Sequence, residues 1–161
     1  MIDLSRGVSQ PGEVTAFIVQ LAATLAMTGV IWLVQLVHYP LFARVGSDTF
    51  AAYHGEHTRL IMYLVVPLMV SEAAGAAWTA VERPLFFPTW AAWTGLALVA
   101  VLWGSTFLGQ MPLHATLSNG FEPLAHATLI SGNWIRTAAW TARSALLFFV
   151  LARVLRVMRI G

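Results

Sequence analysis

Four histidines are the side chains of this sequence best suited to chemistry. His54 and His57 form a His-x-x-His pair, and this spacing places two imidazoles at neighbouring positions of a helix. His38 and His114 each stand two residues from a proline. Neutral imidazole is the commonest protein ligand for zinc, copper and iron. The four histidines therefore predict a transition-metal site, with iron or copper favoured over zinc.

A second group of polar residues is expected to act beside the metal. Glu72 lies 18 residues after His54, and positions about 18 apart return to one helix face. An ionisable group within an apolar segment is a functional-site hypothesis by default. We expect Glu72, or alternatively Glu56, to act as a carboxylate ligand or a base, with Asn133 and Arg136 orienting an anion, a carbonyl or bound oxygen. Glu72 is also expected to pair with Arg143, because both lie too deep to be left unpaired.

Each of these residues also has a structural alternative. His54 and His57 would then lie at the level of the lipid headgroups. His38 and His114 would each hydrogen-bond the carbonyl that a nearby proline leaves free. Arg136 would extend to the headgroups, and the pair of Glu72 with its arginine would only stabilise the bundle.

Composition limits the class of protein. Of 161 residues, 58% are hydrophobic and 10% are charged, which is typical of a polytopic membrane protein rather than a soluble domain. The nine basic residues are all arginine and form no basic run, so nucleic-acid binding is not expected. The absence of cysteine excludes disulfides and thiolate metal sites.

Four apolar segments predict the fold. Each is long enough to cross about 30 Å of hydrocarbon, so residues 1–161 are expected to form one all-α domain, an integral membrane four-helix bundle. The predicted spans are residues 14–38, 59–81, 89–111 and 133–154, with long connections at 41–58 and 113–132. The first span is expected to end at His38, since Pro40 disfavours helix in the residue before it. Gly75 and Gly104 are expected at close helix contacts.

Polar and aromatic side chains recur at helical spacing in the spans, which places them on stripes that meet at one end of the bundle. The members of these stripes are Gln20 and His38; Trp103, Phe107, Gln110 and His114; and Asn133, Arg136, Trp140 and Arg143. The arginine distribution favours cytoplasmic termini in the inner (plasma) membrane. The site would then face the outer side.

Four short motifs carry a resemblance to known proteins. They are Val37-His38-Tyr39-Pro40, Tyr53-His54-x-x-His57, Pro112-Leu113-His114 and Asn133-Trp134-Ile135-Arg136-Thr137. Together they resemble a set of uncharacterised bacterial four-helix membrane proteins. The last motif is also distantly similar to anthrone-oxygenase-like membrane proteins, which are implicated in oxidising polyketide aromatics. The resemblance implies oxygenase chemistry and assigns no catalytic residue.

The leading hypothesis is a membrane-embedded, metal-dependent oxidoreductase or oxygenase that acts on a lipophilic small molecule. The alternative is a non-enzymatic membrane subunit that binds or transports a lipid, quinone or proton; transport would require a homo-oligomer, because transporters are usually larger or built from repeats. A b-type haem protein is less favoured. Haem requires axial ligands that face each other at matched depth, and only His38 and His114 qualify.

Overall fold

The computed structural model describes residues 11–160, with side chains through residue 156. Within this range the chain is helical and contains no strand. Four helical spans are long and apolar enough to cross a membrane: Pro11–Arg44, Ser47–Glu82, Thr89–Leu117 and Pro123–Arg156. We call them the first to fourth spans. The all-α, four-helix architecture predicted from the sequence is confirmed.

The first and third spans each contain a turn of π-helix. The first runs as α-helix Pro11–Leu33, π-helix Val34–His38, α-helix Tyr39–Leu41 and 3-10 helix Phe42–Arg44. The third runs as α-helix Thr89–Gly104, π-helix Ser105–Gln110 and α-helix Met111–Leu117. The first span therefore does not end at His38. It continues past Pro40, because the wider turn accommodates a residue that has no N–H to donate.

The two π-helical turns have the same construction. The N–H of Tyr39 bonds to the carbonyl of Val34, and the N–H of Met111 bonds to the carbonyl of Thr106, each five residues back. A proline follows each of these residues directly. Such turns are rare inside α-helices and are frequent at functional sites.

The second and fourth spans are continuous helices that extend beyond the predicted limits. The fourth helix, Pro123–Ile160, begins ten residues earlier than expected, so the proposed connection 113–132 is mostly helical. Glu122 explains this start, since its carboxylate accepts hydrogen bonds from the backbone N–H groups of Leu124, at 3.0 Å, and Ala125. A side-chain oxygen that binds free N–H groups in this way caps a helix.

The spans pack as a bundle in which the first and third spans both contact the second and fourth. Gly75 brings the second span close to the first, because a Cβ atom there would lie 2.8 Å from Cβ of Gln20. The expectation for Gly104 is wrong, since a Cβ atom there would meet nothing within 4 Å. The main core surrounds Met27, Leu129 and Trp140.

Candidate functional site

Three spans bring four histidines together at the end of the bundle that we call the histidine end. His38 comes from the first span, His54 and His57 from the second, and His114 from the third. Ring centroids lie 4.3 Å apart for His38 and His57 and 5.2 Å apart for His54 and His114. His57 and His114 are separated by 6.3 Å. Histidines that are up to 76 positions apart in the sequence thus form one cluster.

The imidazoles form two hydrogen-bonded pairs. Nε2 of His38 and Nδ1 of His57 share a hydrogen bond of 2.8 Å, and Nε2 of His54 and Nδ1 of His114 share one of 2.9 Å. Each pair requires one imidazole nitrogen to donate and the other to accept. Such a bond allows a proton to be passed from ring to ring.

The pair of His54 and His114 belongs to a longer chain of hydrogen bonds. Nδ1 of His54 lies 3.3 Å from the exposed Ser118 hydroxyl, and Nε2 of His114 lies 3.0 Å from the Tyr39 hydroxyl. Nε2 of His126 donates to the Tyr39 carbonyl at 2.8 Å, which holds this residue in place. We call Ser118, His54, His114 and Tyr39 the relay. It leads from an exposed hydroxyl to a buried phenol.

Arg136 lies at the inner end of the relay, beside Tyr39. The arginine is only 7% exposed, and its Nη1 donates to Oδ1 of Asn133 at 3.2 Å. Asn133 is fixed in turn, because its Nδ2 donates to Oε1 of Gln35 at 2.9 Å. The guanidinium also lies 5.2 Å from the ring centroid of Trp140, a favourable cation–π distance. A cation is therefore held close to the buried phenol.

An apolar cavity of about 470 Å³ adjoins the relay and Arg136. This volume falls within the usual range of small-molecule sites, about 300–1,000 Å³. The polar residues of its wall are Tyr39, His57, Thr58, Thr106, Gln110, His114, Ser118 and Arg136. Methionine, aliphatic and aromatic side chains, including Met27, Met69 and Trp103, line the rest. The cavity therefore suits a ligand that has an apolar body and one polar end.

Two buried polar atoms near this cavity lack a hydrogen-bond partner among the described residues. They are Nε of Arg136 and Oε1 of Gln110, and both residues contribute to the cavity wall. Buried polar atoms without partners are rare in folded proteins, and each requires an explanation. Here the protein leaves part of the hydrogen-bonding capacity of the cavity wall unused, and a polar group of a ligand could take it up.

Glu72 and Arg143 form a separate network deeper in the bundle. Nε of Arg143 donates to Oε1 of Glu72 at 2.7 Å, and both side chains are almost fully buried. The carboxylate also accepts from Thr24 at 2.7 Å and from Nε1 of Trp140 at 2.9 Å. Arg143 further donates to Oε1 of Gln20 and to a backbone carbonyl, both at 2.7 Å. Neither Glu72 nor Arg143 lines the cavity.

The nitrogen–nitrogen distances in the histidine cluster are shorter than those between ligands of one metal ion. Nitrogens that share a tetrahedral metal at about 2.0–2.1 Å lie about 3.3 Å apart, whereas the facing nitrogens of the two pairs are 2.8 and 2.9 Å apart. Residues 11–160 contain no group of three or more His, Asp or Glu side chains arranged to hold a metal ion. The imidazoles are therefore arranged for hydrogen bonding to each other, and metal binding by His38, His54, His57 and His114 stays a prediction.

No protein-family model, curated protein or solved structure matches this chain. The resemblance to anthrone-oxygenase-like proteins thus stays a prediction, and the site is interpreted from its own geometry.

Several residues of the site were not expected from the sequence. Tyr39 appeared only within a motif, and Ser118 and His126 were given no role, although all three take part in the relay or hold it. The signal for Tyr39 in the sequence was its position between His38 and Pro40. In the structure it directly follows a π-helical turn. No role was expected for His126 because residues 113–132 were predicted to form a connection, whereas His126 lies in the first turns of the fourth helix.

Proposed function

We propose that this protein binds a lipophilic small molecule in the cavity and exchanges a proton with the polar group of that molecule through the relay. The observation that carries the proposal is the unbroken series of hydrogen bonds from exposed Ser118 through His54 and His114 to Tyr39. His114 and Tyr39 also line the cavity. The relay thus joins the ligand site to the surface of the histidine end.

The chemistry follows from the two nitrogens of each imidazole. When a ligand hydroxyl gives its proton to the Tyr39 oxygen, Tyr39 passes its own proton to Nε2 of His114, and the proton on Nδ1 of His114 passes to Nε2 of His54. The O–H bond of the ligand breaks, a new O–H bond forms on Tyr39, and the proton on Nδ1 of His54 leaves through Ser118. Arg136 would stabilise the ligand oxyanion, since a buried cation acts strongly in an environment of low dielectric constant.

Such a step belongs to proton-coupled reactions of hydroxyl or carbonyl compounds, including enolisation. We propose a location in the inner membrane with cytoplasmic termini, which places Ser118 on the outer side. Asn133 is a positioning residue in this scheme, because it bonds to Arg136 and does not line the cavity. Glu72 stabilises the bundle.

The proposal is tested with 2-naphthol, a neutral lipophile whose hydroxyl becomes strongly acidic on excitation. We expect saturable binding to purified protein in lipid nanodiscs, with emission from naphtholate because an imidazole accepts the proton. His114→Phe should abolish the naphtholate emission, whereas Thr116→Val, an exposed position on the same helix, should leave it unchanged. The absence of saturable binding, or equal naphtholate emission in His114→Phe, would contradict the proposal.

A second candidate function is metal-dependent oxidation of the same kind of ligand. Four imidazoles that touch one another favour it, although their nitrogens must separate to admit a metal. Elemental analysis of protein purified without chelator is the test. Stoichiometric iron or copper that is lost in both His54→Ala and His38→Ala would assign a metal to the cluster, and a haem absorption band would identify haem instead. Protein free of metal that still yields naphtholate emission would exclude this candidate.

A further inference from the structure

We infer that the ligand is an uncharged molecule that enters the cavity sideways from the bilayer, through an opening between the second and third spans. The inference rests on the proposed function and deepens it, because it specifies the route and the class of ligand. We call the opening the portal and define it by Met62 and Val66 of the second span and Phe107 and Met111 of the third.

The four portal residues line the cavity and are also exposed on the outside of the bundle. Their exposed fractions are 54% for Met62, 45% for Val66, 51% for Phe107 and 52% for Met111. A side chain that meets both the cavity and the surroundings marks a place where the wall is one residue thick or open. All four lie in spans long and apolar enough to cross a membrane, so the portal faces the hydrocarbon in a membrane.

The π-helical turn of the third span explains why an opening exists. Before the turn, the segment Thr89–Gly104 packs against both the second and the fourth spans. From the turn Ser105–Gln110 onward, the extensive contacts of the third span are with the fourth span instead. The backbones of the second and third spans are therefore farther apart in the half of the bundle that contains the histidine cluster, where the side chains of His54 and His114 still bridge them. The gap between the two spans is the cavity.

Aromatic and aliphatic residues pack at the histidine end. Phe42, Phe50 and Leu117 are fully buried there, and the rings of Phe50 and Phe121 meet edge to face at 5.1 Å. Of the relay, only Ser118 is exposed. A proton can pass through a hydrogen-bonded chain that excludes a larger molecule. The proton is therefore proposed to leave at Ser118, which also lines the cavity, and the ligand is proposed to enter at the portal.

The portal also selects the charge of the ligand. Its four side chains are apolar and carry no charge or hydrogen-bond donor that could accompany an ion, and moving an unpaired ion through such surroundings is unfavourable. A neutral molecule dissolved in the bilayer meets the four apolar side chains of the portal at the cavity entrance, and the polar wall groups Tyr39, His114 and Arg136 are available inside. The proposed ligand is therefore a neutral lipophile with a hydroxyl or carbonyl at one end, rather than a phospholipid chain or a second copy of the protein.

The test narrows the portal with a large side chain. Val66→Trp should slow association of 2-naphthol in nanodiscs by about tenfold or more, a barrier increase of about 1.4 kcal/mol, in stopped-flow measurements of tryptophan-to-naphthol energy transfer. Val70→Trp is the matched control, because Val70 is 49% exposed on the same helix but does not line the cavity. It adds the same energy donor and should bind like the unmodified protein. The anion 2-naphthalenesulfonate should bind neither to the unmodified protein nor to either tryptophan variant.

A second pair of variants keeps the inference testable if the tryptophan variant does not fold. The chain contains no cysteine, so Met62→Cys can be folded first and then labelled with thiol reagents of increasing size. Association should slow with reagent size at Met62→Cys and stay constant at Tyr63→Cys, which is exposed outside the cavity. Saturable binding that neither portal change slows would overturn the portal but leave the proposed function standing. Saturable binding of the sulfonate would overturn the selection for neutral ligands, and no binding of 2-naphthol at all would overturn the proposed function itself.

Discussion

The buried pair of Glu72 and Arg143 gives the sharpest prediction about stability. Arg143→Leu leaves a carboxylate that is 1% exposed with only Thr24 and Trp140 as hydrogen-bond donors. Removing one partner of a buried ion pair costs about 3–5 kcal/mol in free energy of unfolding. Gln20 also loses the cation that its side-chain oxygen binds at 2.7 Å. The expected loss therefore lies toward the upper part of that range.

The assay is unfolding of purified protein in mixed micelles as the fraction of denaturing detergent rises. Arg153→Leu is the control on the same helix, since Arg153 is exposed and such substitutions usually change stability by less than about 0.5 kcal/mol. The double variant Glu72→Leu with Arg143→Met removes both charges, and replacing a buried pair by apolar residues is often close to neutral. We expect it to be more stable than Arg143→Leu.

The same double variant separates structure from function. Because neither residue lines the cavity, a folded double variant should still bind 2-naphthol and give naphtholate emission. The single variants Glu72→Leu and Arg143→Met complete the cycle, and losses of stability in these two that add up in the double variant would refute the reasoning about the ion pair. Loss of the emission in a stable double variant would instead give Glu72 the catalytic role that the sequence suggested.

Two further predictions concern helix packing and the relay. Gly75→Ala should destabilise the bundle by about 1–3 kcal/mol, because the new Cβ would lie 2.8 Å from Gln20; Gly55→Ala, with nothing within 4 Å, should be neutral or slightly stabilising in the same micelle assay. His126→Phe removes the hydrogen bond to the Tyr39 carbonyl, worth about 1 kcal/mol. It should lower naphtholate emission while 2-naphthol still binds, and unchanged emission would show that Tyr39 needs no such support.

The fold could be predicted from the sequence because hydrocarbon length and apolar composition leave few alternatives. Four long apolar segments require helices in a membrane, and the positions of Asn133, Arg136, Trp140 and Arg143 at helical spacing placed them on one buried face. The structure bears this out, since all four are buried. In a regular helix, the spacing of residues in the sequence correctly predicts which of them share a face.

The parts that could not be predicted depend on irregular helix geometry and on contacts between spans. Pro40 and Pro112 indicated helix ends, but π-helical turns carry both spans past them. Periodicity within one span says nothing about which nitrogen of an imidazole faces which partner, so the two histidine pairs and the contact of Tyr39 with His114 were invisible. The sequence favoured a shared metal, whereas the distances show rings that bond to each other.

The most direct test of the central claim is the emission of 2-naphthol bound to the unmodified protein and to Tyr39→Phe and His114→Phe, all in nanodiscs. The relay account predicts saturable binding to all three proteins, with naphtholate emission that is strong in the unmodified protein, reduced in Tyr39→Phe and absent in His114→Phe. Bound naphthol that emits only from its neutral form in the unmodified protein would contradict the account, because the cavity would then contain no group that accepts the proton of its ligand.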